Sequence, residues 1–299
     1  LVGYQFSGSI GNAYATGPVS GSDYVGGLVG YKWSGSISSS YWKTETAGQA
    51  IQGVGGVGRP QTGVTGKTTE ELKQLATFTG WDIADAGGTG TVWRIYEGHT
   101  GPLLRSFLKP TTVTAQTSGI TGKTYDGTAA RGNVTYTTPV ATLDGSLRYT
   151  TNSKNAGSYS TDDGSLKFTG LYSDQQGYDI SYASTPATLT IGQAALTVTG
   201  MTANNKTYDG GTVATLSGGS LDGVIGSEAV TFSGQTGTFA DKNVGTGKTV
   251  SVSGITLGGT DAGNYTVTQP TGLTADISAK ALTVTGMTAN NKTYDGGTV

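Results

Sequence analysis

The stretch ALTVTGMTANNKTYDGGTV, residues 195–213, returns without a change at residues 281–299, an offset of 86. A related KTYDG stands earlier, at residues 123–127. Identity over a domain-sized period marks a tandem array, in which one physical unit is wanted several times over. An enzyme usually needs one site, built once.

Working outward from that stretch, short alternating segments follow one another: Val230-Thr231-Phe232, Val250-Ser251-Val252, Ile255-Thr256-Leu257, Tyr265-Thr266-Val267 and Ala275-Asp276-Ile277. Gly, Asn and Asp separate them, which is the pattern of short strands in an all-β, sandwich-like domain. The copies are placed at residues 109–194 and 195–280, with residues 281–299 as the truncated start of a third. The first copy is diverged but keeps Lys154-Asn155-Ala156-Gly157 against Lys242-Asn243-Val244-Gly245, and Tyr178 near the place of Tyr265. Residues 275–280 run into residues 281–284 with no Pro and no Gly between them. A junction of that kind restricts hinge motion, unlike a Gly/Ser tether, so a stiff rod is expected.

The first half carries a different repeat. LVGYQFSGSI at residues 1–10 returns as LVGYKWSGSI at residues 28–37, a period of 27. Twenty-seven residues accommodate about three short strands with tight turns, the size of one coil of a parallel β-solenoid. Stacked coils place Tyr4 over Tyr31 and Phe6 over Trp33. Period-matched aromatics are read as an interior stack, with Gln5 and Lys32 pointing the other way. Residues 1–56 are therefore assigned to the coils and residues 57–108 to a capping segment, since an uncovered coil end leaves unpaired backbone. Within the cap, Thr68-x-x-Glu71 reads as a capping box, and the apolar spacing after it predicts a short helix over residues 69–77.

Composition narrows the function. With no cysteine, disulfides, thiolate metal sites and thiol catalysis are excluded. His99 is the only histidine, which removes nearly all histidine acid–base chemistry and the usual zinc constellations. A net charge of −2 gives no field for nucleic acid, and no apolar run reaches the length of a membrane helix. Residues 1–56 hold two carboxylates, Asp23 and Glu45, at non-equivalent places in the period, so a polysaccharide-cleaving coil face is poorly supported.

Three Tyr-Asp-Gly motifs, Tyr125-Asp126-Gly127, Tyr208-Asp209-Gly210 and Tyr294-Asp295-Gly296, are the sharpest local signal. Each reads as a turn in which Asp bonds its own downstream backbone, Gly takes positive φ and Tyr packs beside a strand. Calcium binding is the weaker alternative, because calcium wants six or more oxygen ligands. Asp162, Asp163, Asp174 and Asp179 read as solvated loop residues, ahead of a weak cation site. Lys123, Lys206 and Lys292, recurring before each motif, give no strand-parity sign of facing inward, which disfavours isopeptide crosslinking. Sequons at Asn133, Asn205, Asn264 and Asn291 arise easily in an Asn/Thr-rich chain. Tyr31 and Trp33 are the candidate glycan contacts.

The LVGY-x-x-SGSI repeat, with Tyr24-Val25-Gly26-Gly27-Leu28-Val29-Gly30, resembles the GLUG repeat of large bacterial exoproteins. The segment from Tyr41-Trp42 through Trp81 to Trp93 and Pro102-Leu103 resembles the closing segment that follows such repeats. The KTYDG copies, with Asp261-Ala262-Gly263-Asn264-Tyr265, resemble the YDG/MBG β-domains of filamentous-haemagglutinin-type adhesins. The resemblance implies a secreted, extracellular protein of a Gram-negative cell surface, exported by an outer-membrane transporter as in two-partner secretion. No secretion domain or anchor is read in these residues. The expected work is that of a stalk or scaffold that projects a binding region in adhesion or biofilm attachment. Host-cell or matrix glycans and proteins are the expected partners, with lateral self-association open. No cofactor, no metal, no nucleic acid, no membrane insertion and no catalytic residue is expected. A polysaccharide-binding exoprotein module is the alternative reading, and a polysaccharide-degrading solenoid enzyme the third.

Overall fold

The computed structural model describes residues 1–46, 52–56, 62–183 and 185–298. The boundary expected between residues 56 and 57 lies outside them. The described chain is all-β, with short 3-10 turns and no α-helix. It divides into two units: 1–121, 129–153 and 158–189 form the first, and 122–128, 154–157 and 190–299 form the second.

The first unit opens with three parallel ladders. Val2–Gln5, Gly26–Lys32 and Gln52–Val54 pair in order, Ser9–Gly11 pairs with Ser36–Ser38, and Tyr14–Ala15, Ser40–Lys43 and Val64–Lys67 pair in order. The register is the sequence period: Val2 faces Val29, Ser9 faces Ser36 and Tyr14 faces Tyr41. Leu28, Val29, Ile37, Trp42 and Val54 are buried together, with Val2, Ile10, Ala15 and Val64 against them. At the corner, Gly35 has φ +88°, and a Cβ there would sit 2.1 Å from the Gly8 carbonyl oxygen, so only glycine fits.

The aromatic stack exists but faces outward, which corrects the expected parity. Tyr4 lies 5.3 Å from Tyr31 at 12° and 6.5 Å from Phe6 at 23°, yet Tyr4, Phe6 and Trp33 are more than half exposed. Gln5 is the buried one. Its amide donates to the Ser36 carbonyl at 3.1 Å and the Gly8 carbonyl at 3.3 Å, satisfying corner acceptors. Trp42 already lies on Gly27, whose added Cβ would be 2.3 Å from the indole, so the narrow interior is filled without the ladder.

The helix expected at residues 69–77 is replaced by two 3-10 turns, Glu71–Lys73 and Leu75–Phe78. Its capping box does form: the Glu71 amide donates to the Thr68 hydroxyl at 3.2 Å, and the Thr68 amide to the Glu71 carboxylate at 2.9 Å. The turn breaks at Gln74, which is extended (φ −103°, ψ 125°), and the Leu75 amide then donates to Glu97. Breaking there lets Leu72 and Phe78 enter one cluster with Trp81 and Ile95, against Tyr14 and Tyr41. The Trp81 indole nitrogen donates to the Ser39 carbonyl at 2.7 Å, fastening this segment to the parallel ladders.

The two β copies share one plan. Lys109–Ala115 runs parallel to Tyr178–Tyr182, with Lys109 facing Tyr178, and Ala194–Ala203 runs parallel to Tyr265–Thr268, with Ala194 facing Tyr265. In the second copy, Leu216–Asp222 pairs antiparallel to the first strand. A five-stranded sheet orders Lys206–Thr207, Leu273–Ser278, Gly245–Ser253, Thr236–Phe239 and Val213–Ala214. Its core is Ala214, Phe239, Val250, Ala275 and Ile277. A second cluster holds Val198, Met201, Val252 and Ile255. Full burial of each large apolar side chain stabilises by roughly 1.5–3 kcal/mol. Residues 281–298 form no strand and are exposed, as a repeat opening without its pairing strands must be.

Candidate functional site

The Tyr-Asp-Gly motif is positioned by the last strand of its own copy. In the first copy, Lys123 and Thr124 pair in parallel with Ile191 and Gly192, and the Tyr125 amide donates to the Gly192 carbonyl at 2.8 Å. In the second, Lys206 and Thr207 pair with Ile277 and Ser278, and the Tyr208 amide donates to the Ser278 carbonyl, also at 2.8 Å. The motif therefore sits beside the point where its copy hands the chain on.

Within the motif the aspartate organises a turn. Asp126 accepts from the Thr128 amide, Asp209 from the Gly211 amide and Asp295 from the Gly297 amide, at 2.9, 2.9 and 3.0 Å. The glycine between has φ +78°, +82° and +79° in the three motifs. Each preceding lysine closes the turn on its own aspartate, at 2.5, 2.8 and 2.7 Å for Lys123, Lys206 and Lys292. That contact holds Asp126 down to about 2 and lowers Asp209 and Asp295, with the backbone donors adding to it. The aspartates are thus used within the motif, and among the described residues no three His, Cys, Asp or Glu side chains gather as metal ligands.

The tyrosine reaches beyond its copy. Tyr125 is buried, and its hydroxyl donates to the carboxylate of Glu228, in the loop between Leu216–Asp222 and Thr231–Ser233 of the second copy. The Tyr265 hydroxyl donates to the other Glu228 oxygen at 2.6 Å, and Lys154 reaches the first at 2.8 Å. The Tyr125 and Tyr265 rings meet edge to face at 5.4 Å. Lys154, then the two phenols, hold the Glu228 carboxyl down to about 2, while burial and then the carboxylate push the Tyr125 phenol up to about 12. Beside this group the Ala156 amide donates to the Asn264 side chain at 2.9 Å, and Ile225 lies over Gly127. Asn264 is buried, so its sequon is closed by the fold. All these residues belong to the second unit, which takes up residues 122–128 and 154–157 of the first copy. The chain between copies is equally tight: one residue, Gln193, separates Thr188–Gly192 from Ala194–Ala203. The Gln193 amide donates to the carbonyls of Gly263 and Tyr265.

Glu228 was invisible to motif reading. One signal was present: it is the only glutamate after Glu97.

In the first unit, Asp179 departs from the solvated loop expected of it. Its carboxylate is buried, accepting from Arg105 at 2.5 Å and from the Gly88 amide at 3.0 Å, with the Arg94 guanidinium 3.4 Å away. Arg94 also lies over the Tyr96 ring at 4.0 Å, and burial lowers its pKa. Asp163 and Asp174 form ordinary turns with the amides of Ser165 and Gln176. His99 stacks on Tyr172 at 4.4 Å, in an open groove of about 440 Å³ also lined by Glu97 and Arg148. Tyr31 is half-buried in the ladder, and Trp33 is exposed with no ring partner among the described residues.

Residues 192–272 match the YDG domain family, a span that takes in most of the second β copy. No protein of curated function and no solved structure matches the chain.

Proposed function

We propose that this chain is a structural stalk segment of a large secreted bacterial surface adhesin of the filamentous-haemagglutinin type, working as a spacer rather than an enzyme. In this reading residues 1–56 are the last coils of a parallel β-solenoid, residues 57–108 close it, and sandwich-like YDG copies continue the stalk. The segment projects and spaces a binding region outside the cell, in adhesion or matrix attachment, after export through an outer-membrane transporter.

The observation that carries the reading is the Glu228 cluster. A spacer needs successive modules joined so that bending one moves the next, and Tyr125 and Lys154 of one copy close on a single carboxylate of its successor. With one residue between the flanking strands, the connection offers few soft dihedrals. The parallel ladders at the 27-residue register and the coil interior support the solenoid part. Small-angle scattering from chains carrying added copies tests the spacer directly. The maximum dimension is expected to grow by a fixed step per copy, and a freely jointed profile overturns it.

A second reading, glycan binding by the coils, is favoured by the exposed Trp33. The neighbouring rings argue less for it: Tyr4 and Tyr31 cover one another's faces, and a sugar stacks on a face.

A further inference from the structure

We infer that the end of the second copy, built from Tyr208, Lys242 and the Val244 amide, is a socket for the Glu228-type carboxylate and Asn264-type amide of a further YDG copy. The inference rests on the spacer reading and says which contacts make each joint.

The first copy shows the joint made. Tyr125 and Lys154 converge on Glu228, and the Ala156 amide donates to Asn264. The second copy repeats every donor in the matching place. Tyr208 occupies the same station on its final strand as Tyr125 does, by the same backbone hydrogen bond. Lys242-Asn243-Val244-Gly245 repeats Lys154-Asn155-Ala156-Gly157. Two of these positions are more open than in the first copy. Tyr208 is half-exposed where Tyr125 is 3% exposed, and Val244 is 53% exposed where Ala156 is half-buried, while Lys242 is exposed as Lys154 is. A Cβ on Gly127 would touch Ile225, whereas one on Gly210 meets open space.

The occupant we commit to is a further copy of the repeat itself. The chain leaves Ser278 beside Tyr208 as it leaves Gly192 beside Tyr125, and residues 281–299 spell the opening of a YDG copy. Chemistry agrees: a phenol, an ammonium and a backbone N–H are three donors that suit a carboxylate with an adjacent amide oxygen.

The test uses the full chain and an extended chain in which residues 214–280 are appended after Val299, completing a third copy. In the extended chain, Tyr208→Phe is expected to shift the folded-to-unfolded ratio of the appended copy by roughly tenfold, the loss of one hydrogen bond to a charged acceptor. Replacing the appended copy's Glu228 equivalent by Gln is expected to cost a similar factor, and the double variant less than the product of the two. In the 1–299 chain Tyr208→Phe is expected to be silent, because the ring is kept. Equal effects of Tyr208→Phe in both chains, or strictly multiplicative effects in the extended one, would overturn the socket. The ¹³Cζ shift of Tyr208 gives a readout independent of stability: it should move on extension and return with the Gln variant, and no movement also refutes the proposal. A scattering length that fails to grow while this coupling is present would sink the spacer reading alone.

Discussion

Replacing Asp179 by alanine removes, among the described residues of the first unit, the only carboxylate facing two guanidiniums. The side chains of Asp179, Arg94 and Arg105 are 6%, 4% and 12% exposed, so water cannot take over the lost contact. Breaking a buried ion pair from one side leaves charge stranded and costs about 3–5 kcal/mol. For a cooperative unit of this size that corresponds to a fall in Tm of roughly 6–20 °C. Urea unfolding followed by tryptophan fluorescence reads this unit selectively, because Trp33, Trp42, Trp81 and Trp93 all lie in it. Arg94 offers the internal control: its Nε makes no hydrogen bond, and its interaction with Asp179 is Coulombic at 3.4 Å. Arg94→Met added to Asp179→Ala should therefore recover part of the loss, since it removes a buried unpaired charge and keeps the stem volume. A loss below about 1 kcal/mol in the single variant, or a further loss in the double, would refute the claim that this carboxylate compensates buried charge.

The Glu228 cluster sets a pH window. A folded-state value near 2 lies below the ordinary glutamate value, so its contribution is complete above about pH 4.3 and fades as the pH falls towards 2. Tyr125, raised to about 12, keeps its contribution below about pH 10 and loses it between there and 12. Amide exchange at residues 122–128 should follow both limbs, and Glu228→Gln should flatten the acid limb; an unchanged acid limb would remove Glu228 from the joint. For the parallel ladders, the spacer reading expects Trp33→Ala to leave both fold and glycan-array profile as they were. Array binding that disappears with Trp33 while the fold persists would shift the assignment to the glycan-binding reading.

Much of the architecture was legible because repetition fixes register without any knowledge of packing. The 27-residue period became the pairing of Val2 with Val29 and Tyr14 with Tyr41, and the recurrence of Tyr178 and Tyr265 became the same parallel strand in both copies. Parity was less legible. Tyr4 and Gln5 differ by one residue, and which of them faces inward depends on how much of the interior Trp42 and Val29 already fill. The helix at residues 69–77 failed for a related reason. Its cap was local and formed, but the Glu97 carboxylate and the aromatic cluster drew Leu75 and Phe78 out of helical register. Asp179 and Glu228 were least legible, since Arg105 lies 74 residues from Asp179, and Lys154 and Tyr125 lie 74 and 103 residues from Glu228. Charge pairing at that range leaves no mark on local composition.

The placement of these carboxylates has a physical logic. Apolar burial is non-directional and holds each copy together through Phe239, Val250 and Ile277 and their neighbours. Seating residues 122–128 and 154–157 within the second unit has the further task of choosing one orientation among many that bury similar area. Directional donors do that: Glu228 is satisfied only when Lys154, Tyr125 and Tyr265 all point at it, and an edge-to-face ring contact narrows the rotation further. A Val or Leu at position 228 would bury comparable surface while accepting nothing from the two phenols, leaving their O–H donors without the carboxylate acceptor. The carboxylate therefore serves direction more than affinity at this contact.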